Sequence, residues 1–396
     1  MDITLGLEQV KQTFEAIEPG AGQQLAAYLA DAQQKYDFIM GDLFYKNADS
    51  VLDLLSIDFV RRFASRGMVG SMHRHIGQYF KNPKLQQILE YTLVFLGSSP
   101  YNAPALFSIM SHVDLTLKVW YPKGGMYRLV EAMETLGKRY GVEYRLNTQV
   151  TQLRLVKDKI VGVVTTQGEE PYDVVIGAGD MRQIEDLLSD QSKRMVSQQA
   201  WQKKTMAPST FLLYLGVKKK LPKLAHHTFY FTDAWEQHFD ELFNDKKWPQ
   251  EPSIYINVPS RTDRSVAPAG HENLMVLVPV ASGLPETEVS RQEYAQHIIA
   301  YIEHKLHVSI AKDIVFQQIF SVTDFEQRYF SYKGNALGGE ANTLFQTSIF
   351  RSNNRSKKLS NLYFAGAATV PGIGVPTSLV SGQLIRDRIR TVEKAR

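Results

Sequence analysis

The chain has no cysteine in its 396 residues. That excludes a disulfide framework, a cysteine-ligated zinc and a thiol nucleophile, and it fits a reducing compartment. A charge excess of either sign is also lacking. The 45 basic and 41 acidic side chains leave a net charge of +4, too small to point to nucleic acid and compatible with an anionic membrane surface. Two long stretches, Tyr91 to Val113 and Leu359 to Ile385, carry no Asp, Glu, Lys or Arg. Pro100, Asn102 and Pro104 interrupt the first; Gly366, Pro371, Gly372, Gly374 and Pro376 interrupt the second. Neither reads as a helix that crosses a bilayer. The amino terminus, MDITLGLEQVKQTFEAIEPG, has no basic n-region and no apolar h-region, so no signal peptide is expected. No H-E-x-x-H pattern occurs. The closest histidine pairs, His73/His75 and His226-His227, read as structural, and no metal site is expected.

What is present is an ordinary globular composition, 44% hydrophobic and 22% charged, long enough for two or three domains. Leu7, Val10, Phe14 and Ile17 recur at helical steps. Pro19-Gly20 breaks that pattern, and residues 22 to 40 restart it. Asp49-Ser50 precedes a further apolar run, Val51, Leu52, Leu54 and Leu55. Helices are expected over 67–80, 83–95 and 104–117. This first region, 1–120, is either a helical bundle with an ordinary core or a helical cap over a long apolar tunnel. The texture then changes. Tyr121-Pro122-Lys123-Gly124-Gly125 is a turn, and a helix over 126–140 should end at Gly141 in a left-handed cap. VEYRLNTQV, QLRLVKDKIVGVVTTQG and YDVVIGAG read as β segments broken at Lys157-Asp158 and Gly168, with a hairpin suggested at Asp158-Lys159. The apolar YDVVI should be a strand buried on both faces of a parallel sheet. Further strands are expected in STFLLYLGV, HHTFYF, SIYINVP and NLMVLVPV, and helices over 234–243 and 288–306.

The most informative stretch is NLYFAGAATVPGIGVPTSLVSGQLIRDRI, residues 361–389. A strand ends in Gly366-Ala367-Ala368, a loop carries Gly372, Gly374 and Pro376, and a helix begins near Thr377 or Ser378. Glycines let a backbone approach a planar ring or a phosphate. A helix amino terminus offers unpaired N–H groups and the positive end of a dipole. The combination suits an anion or the electron-rich edge of a reduced flavin.

This segment resembles the carboxy-terminal flavin signature of bacterial and fungal phytoene desaturases: a strand, G-A-G-T, and a P-G-x-G-[IV]-P loop before the last helix. WYPKGGMYRLVEAM, Leu224-Ala225-His226-His227-Thr228 and NVPSRTDRSVAPAGHENLMVLVPV are similar to further motifs of that family, in the same order. The resemblance implies an α/β (α+β mixed) fold: an incomplete Rossmann-like FAD-binding domain, a mixed-sheet substrate domain and a helical cap. The parts fall at 1–120 (cap, membrane-facing), 121–200 (middle of the FAD domain), 201–350 (substrate domain) and 351–396 (carboxy-terminal part of the FAD domain). It implies an FAD-dependent oxidoreductase that removes a hydride and a proton from an acyclic carotenoid precursor, a long apolar polyene. The expected setting is cytoplasmic, peripheral at the inner face of the membrane, with the run Leu85–Met110 dipping into the interface. Gly366, Ala367, Gly372, Gly374, Val375 and Pro376 match the signature and are assigned to the flavin's ring and diphosphate neighbourhood; Val150 matches the adenine side. No catalytic residue is assigned.

Two departures qualify the resemblance. Family members begin with a strand and a G-x-G-x-x-G loop that cradles the ADP half of FAD, and that unit is not recognised here. Gly177-Ala178-Gly179 is not a substitute, because Arg182 stands where a third glycine is needed. Ala368 and Thr377 replace glycines of the signature, each adding a Cβ near the expected flavin. Beside desaturation, then, stand a non-catalytic or split-enzyme fragment that needs a separate amino-terminal FAD-binding chain, and a related carotenoid isomerase or oxidase.

Overall fold

The structure, a computed structural model, describes residues 1–3, 6–47, 61, 67–347 and 350–394. The run Val51, Leu52, Leu54 and Leu55 lies outside the described residues. In chain order the strands are β1 (Val150–Val156), β2 (Lys159–Thr165), β3 (Gly168–Glu170), β4 (Val175–Gly177), β5 (Ser209–Val217), β6 (His227–Tyr230), β7 (Ile254–Asn257), β8 (Glu272–Val280), β9 (Ile314–Phe320) and β10 (Leu362–Phe364). The chain divides into two units: residues 1–119, 150–207 and 337–396 form one; residues 120–149 and 208–336 form the other.

In the first unit the amino-terminal helices are Leu7–Ile17 and Ala21–Asp42. Gly20 separates them in the left-handed conformation, at φ 85°. The carboxylate of Glu15 accepts the freed N–H groups of Gly20 and Gly22 at 2.8 and 3.0 Å. Val10, Phe14, Leu25 and Tyr28 pack with Met72, Ile76, Phe80, Leu85, Leu89, Leu93 and Phe107 in one apolar cluster. Within the run Leu85–Met110, Leu85, Leu89, Leu93, Ala103 and Phe107 are inside this core, as partners of the two amino-terminal helices, whereas Ile88, Val94 and Phe95 are half-buried. The helix expected over 67–80 is shorter, Met72–Ile76. The one expected over 104–117 winds as a 3₁₀ turn at Ala105–Ser108, an α-turn at Ile109–His112 and a π-turn at Val113–Leu117.

Strands β1, β2 and β3 form an antiparallel sheet, with Lys157 at φ 54° in the first turn. Strands β4 and β10 pair in parallel, Leu362 with Val175, Tyr363 with Ile176 and Phe364 with Gly177. Asn361 joins the two sheets. Its Oδ1 accepts from Ile160 N at 2.9 Å, and its Nδ2 donates to the carbonyls of Ile160 (2.9 Å) and Asp173 (3.0 Å). β10 is fully buried, whereas Ile176 on β4 is 47% exposed. The expectation that YDVVI is covered on both faces thus fails. Among the described residues β4 has a strand on one edge only.

In the second unit β6, β7, β8, β5 and β9 form an antiparallel sheet in that order. Phe211, Leu213, Leu215, Ile254, Ile256, Leu274, Val276 and Val278 point to one face. There they pack against Tyr294, Ala295, Ile298 and Ile302 of the helix Glu288–Leu306, which has the bounds expected from its periodicity. The helix Tyr127–Arg139 ends at Gly141 with φ 77°, as a left-handed cap. It buries none of its side chains, and its apolar Leu129, Val130, Met133 and Leu136 are all exposed. Residues 142–149, expected to start a strand, form none. A strand needs a ladder partner for its backbone groups, and none lies beside this segment among the described residues.

Asn361→Ala should lower unfolding free energy by about 3 kcal/mol, because it strands both buried backbone groups of Ile160 and removes the bond to the more exposed Asp173 carbonyl. A urea titration should show a lower midpoint at unchanged slope.

Candidate functional site: a glycine bend and an open sheet face

The bend joins β10 to the last helix, Val375–Lys394. Gly366, Gly372 and Gly374 have φ of 99°, 134° and 126°, values that L side chains rarely adopt. The Oγ of Ser381, in the second turn of the helix, accepts from Gly366 N at 2.9 Å and donates to Ser378 O at 2.6 Å. Thr377 Oγ1 donates to Gly374 O at 2.6 Å. Gly374, Val375 and Pro376 are exposed, Gly366 and Ala367 half-buried, and Gly372 buried. The helix starts at Val375 rather than at Thr377 or Ser378, so its first, unpaired N–H groups lie within the exposed part of the bend. Ala368 is buried, with its Cα close to Gly339, and Thr377 is half-buried at the helix start.

Beneath the bend lies a side chain that sequence reasoning missed. Arg351 is buried, and its Nη1 donates to Ala367 O at 3.0 Å. Its Nη2 donates to Glu340 O and to Asn342 Oδ1, both at 2.8 Å. Burial holds the guanidinium down to about 10, with the Glu340 carboxylate acting the other way. Gly339 allows the close approach: a Cβ there would lie 3.1 Å from Ala367 O. The Gly338-Gly339 pair was the available signal. Arg351 itself has no pattern around it.

The other candidates separate. Six of the seven residues, Gly366, Ala367, Gly372, Gly374, Val375 and Pro376, sit on the bend. Val150 opens β1, half-buried and opposite Thr165 in the antiparallel sheet, away from the bend in sequence and in strand pairing. At Gly177 a Cβ would fall 2.7 Å from Ile184, so that glycine serves strand-to-helix packing. Asp180 caps the helix that follows, accepting from Gln183 N at 3.1 Å, and a carboxylate there repels a diphosphate. Both facts agree with setting Gly177-Ala178-Gly179 aside. The histidine pairs have protein partners: His73 with Glu90, His75 with Asp31, His226 with Thr262 and His227 with Tyr255. Among the described residues no cluster of three or more His, Asp or Glu could hold a metal ion.

In the second unit two of the motifs meet. Asp263 Oδ2 accepts from Gly124 N at 2.6 Å, and its Oδ1 accepts from Ser265 N and Oγ at 2.9 and 2.6 Å. The Ser265 hydroxyl, then the Gly124 and Ser265 amides, hold the carboxyl down at about 2. The sheet face turned away from the core is itself apolar. Strand register sets Phe229 opposite Tyr255, Tyr255 opposite Leu277, Leu277 opposite Leu212 and Leu212 opposite Phe320, a row across all five strands. Phe229 stacks on Tyr255 at 4.8 Å between ring centroids. With strands about 4.8 Å apart the row is about 19 Å long.

The family model described as flavin containing amine oxidoreductase matches residues 6–389. The chain belongs to this family. Within the flavin-containing amine oxidoreductases, a carotenoid 3,4-desaturase of Haloarcula japonica is 41% identical over 97% of this chain and 77% of the relative. A 4,4'-diapolycopene oxygenase of Methylomonas is 30% identical over 98% of this chain and 79% of the relative. A zeta-carotene-forming phytoene desaturase of Myxococcus xanthus is 29% identical over 96% and 73%. An oxidoreductase from Methanosarcina mazei shares the fold, with a TM-score of 0.56 at 14% identity over 85% of this chain and 73% of its own. Family membership makes the chain a flavin-dependent oxidoreductase with a mixed α/β fold, as the motifs implied.

The bend fits a flavin. Its glycine backbone is open at Gly374, where a Cβ would meet only Thr377 and Pro376 of the bend itself, and the helix end supplies donors for electron-rich oxygens. Gly372→Ala should cost roughly 1–3 kcal/mol, through its φ and through the 3.2 Å approach of the new Cβ to Arg351 Nε. Gly382→Ala, in the interior of the same helix with nothing near it, should instead stabilise by about 0.5–1 kcal/mol. Thermal unfolding of the two variants should move in opposite directions.

The Asp263 tether should be pH-dependent in a defined window. Its folded carboxyl lies below its ordinary value of 3.8, so the tether is at full strength above that value and is lost as pH falls through about 2. Protection of the Gly124 amide, corrected for intrinsic exchange, should fall over that range and be absent at every pH in Asp263→Ala.

Proposed function

We propose that the protein is an FAD-dependent carotenoid desaturase acting on an acyclic, long-chain polyene precursor. The observation that carries the substrate class is the apolar row Phe229, Tyr255, Leu277, Leu212 and Phe320. Phe229, Tyr255, Leu277 and Leu212 are half-buried, while Phe320 ends the row buried against Phe325 and Tyr329; such an elongated apolar row suits a rod-like hydrocarbon better than an amine. Sequence identity to a carotenoid 3,4-desaturase supports the same reading.

FAD, when bound, supplies the two-electron acceptor for the hydride that leaves one substrate carbon while the neighbouring carbon loses a proton. The chain's own residues hold and shield. Gly366, Ala367, Gly372, Gly374, Val375 and Pro376 present backbone to the flavin, and Ser381 fixes the bend's entry through Gly366 N. Aromatic and aliphatic side chains of the sheet face exclude water from the polyene. Val150 is kept as an adenine-side contact. The diphosphate is held by a further segment, one that pairs along the free edge of β4 and whose neighbouring chain covers the face on which Tyr172, Val174 and Ile176 are exposed. The relatives extend beyond their match to this chain by about a quarter of their length, room enough for such a segment. Whether joined or separate, it completes the cofactor site. Contact with a membrane, at its inner face in the cytoplasm, follows from the solubility of the substrate. No helix among the described residues is long and apolar enough to cross a bilayer.

The protein should be incubated with FAD and with phytoene, diapophytoene or a hydroxylated carotenoid, and the products separated by chromatography. The acyclic hydrocarbons should yield products with a longer chromophore. Products that carry new oxygen, or differ only in double-bond geometry, would overturn desaturation in favour of an oxidase or an isomerase. Adding a polypeptide that spans the unmatched part of a relative should tighten FAD binding.

A further inference from the structure

Beneath the bend Arg351 combines a full charge, deep burial and direct contact with the bend's backbone. The residue is 4% exposed. Two of its three guanidinium nitrogens are used on the carbonyls of Ala367 and Glu340 and on the side-chain oxygen of Asn342. The third, Nε, is buried with no hydrogen-bond partner, and it lies 3.2 Å from where a Cβ on Gly372 would be. None of these acceptors is a carboxylate. Glu340 is the nearest carboxylate, and it is bound by Lys204. The three charged groups, Arg351, Lys204 and Glu340, therefore leave one positive charge under the bend. Asn342 is held in turn: its Nδ2 donates to Leu96 O at 2.7 Å, its own carbonyl accepts from Ser98 Oγ at 3.0 Å, and its Oδ1 also accepts from Thr347 Oγ1 at 3.1 Å. This fixed acceptor keeps the guanidinium from turning away.

A buried charge without a bound carboxylate costs several kcal/mol in solvation unless something offsets it. Hydrogen bonds to two carbonyls and an amide recover part of that. An anion close by would recover more. A flavin reduced by two electrons and one proton carries one negative charge, and the bend's other electrostatic feature, the start of the helix Val375–Lys394, has the same positive sign.

We propose that Arg351 is the positioning residue of the bend. Its fork holds Ala367 and the Glu340–Asn342 segment in register, and its charge raises the reduction potential of the flavin laid against the bend. The proposal rests on the flavin reading above. It concerns electron acceptance by the cofactor, not substrate choice.

The test is a comparison of Arg351→Gln, Arg351→Lys and wild type, each loaded with FAD and prepared with the added segment where that raises occupancy. The readouts are the midpoint potential of the flavin, its affinity for sulfite, which adds a negative charge to the ring, and thermal unfolding. Arg351→Gln, which keeps donors and loses charge, should lower the potential and weaken sulfite binding at least ~10-fold. Arg351→Lys should recover most of both, although it breaks the fork and unfolds earlier. If Arg351→Gln fails to fold, Asn342→Asp serves in its place. It sets a carboxylate on the guanidinium, neutralises the charge where it stands, and should shift both flavin readouts as Arg351→Gln does. Unchanged potential and sulfite affinity in the charge-neutral variants would sink the electrostatic role. So would equal losses in the Lys and Gln variants, which mark a purely structural arginine. Wild-type protein that takes up no FAD in any preparation would remove the flavin reading as well as this one.

Discussion

The parallel pairing of Leu362–Phe364 with Val175–Gly177 is the constraint on which the candidate site depends. It is only three residues long on each strand. It nevertheless fixes where β10 ends, and the chain leaves β10 directly into Gly366. Asn361 reinforces the pairing from one end by closing three hydrogen bonds to Ile160 and Asp173. Ser381 reinforces it from the other by taking up the N–H of Gly366. Each unpaired group in this region would be a buried backbone polar atom, so the short pairing is backed by side chains that satisfy its flanks. Arg351 then supports the bend from below, where a carbonyl would otherwise point into the interior.

The second unit solves a different problem. Its sheet has one face committed to a core with the helix Glu288–Leu306, and alternation places the intervening residues on the opposite face. On that face the cross-strand neighbours Phe229, Tyr255, Leu277, Leu212 and Phe320 are apolar too. A sheet apolar on both sides needs something on each. The helix covers one side, and an elongated hydrocarbon is the occupant proposed for the other. The meeting of Gly124 with Asp263 belongs to the same unit. It gives a structural reason for two stretches that the sequence presented as separate motifs, a turn whose freed amide needs an acceptor and a carboxylate that supplies it.

Long periodic elements were legible from residues alone. Both amino-terminal helices, the hairpin at Lys157-Asp158, the strands β5 and β8 and the helix Glu288–Leu306 lie close to where spacing placed them. Glycines at 20 and 141 marked helix boundaries because only a left-handed residue could end or reset the winding there. Failures cluster where a partner decides. VEYRL has the alternation of a strand and forms none, since nothing pairs with it. The helix expected over 67–80 shrinks to Met72–Ile76, a length that no local period announces. β9 and the helix Val322–Tyr329 carry mixed, weakly periodic residues and were not anticipated.

The sequence by itself determined the family, the strand–bend–helix unit around Gly366 to Pro376 and the absence of thiol chemistry, because these follow from local backbone requirements and residue identity. Tertiary structure alone decided that Ala368 is buried, that Arg351 stands beneath the bend with Glu340 and Asn342, and that five separate strands align their side chains into one apolar row. Those are contacts between residues far apart in the chain. No local pattern encodes them, since they depend on register and burial, which are set only when the strands have paired.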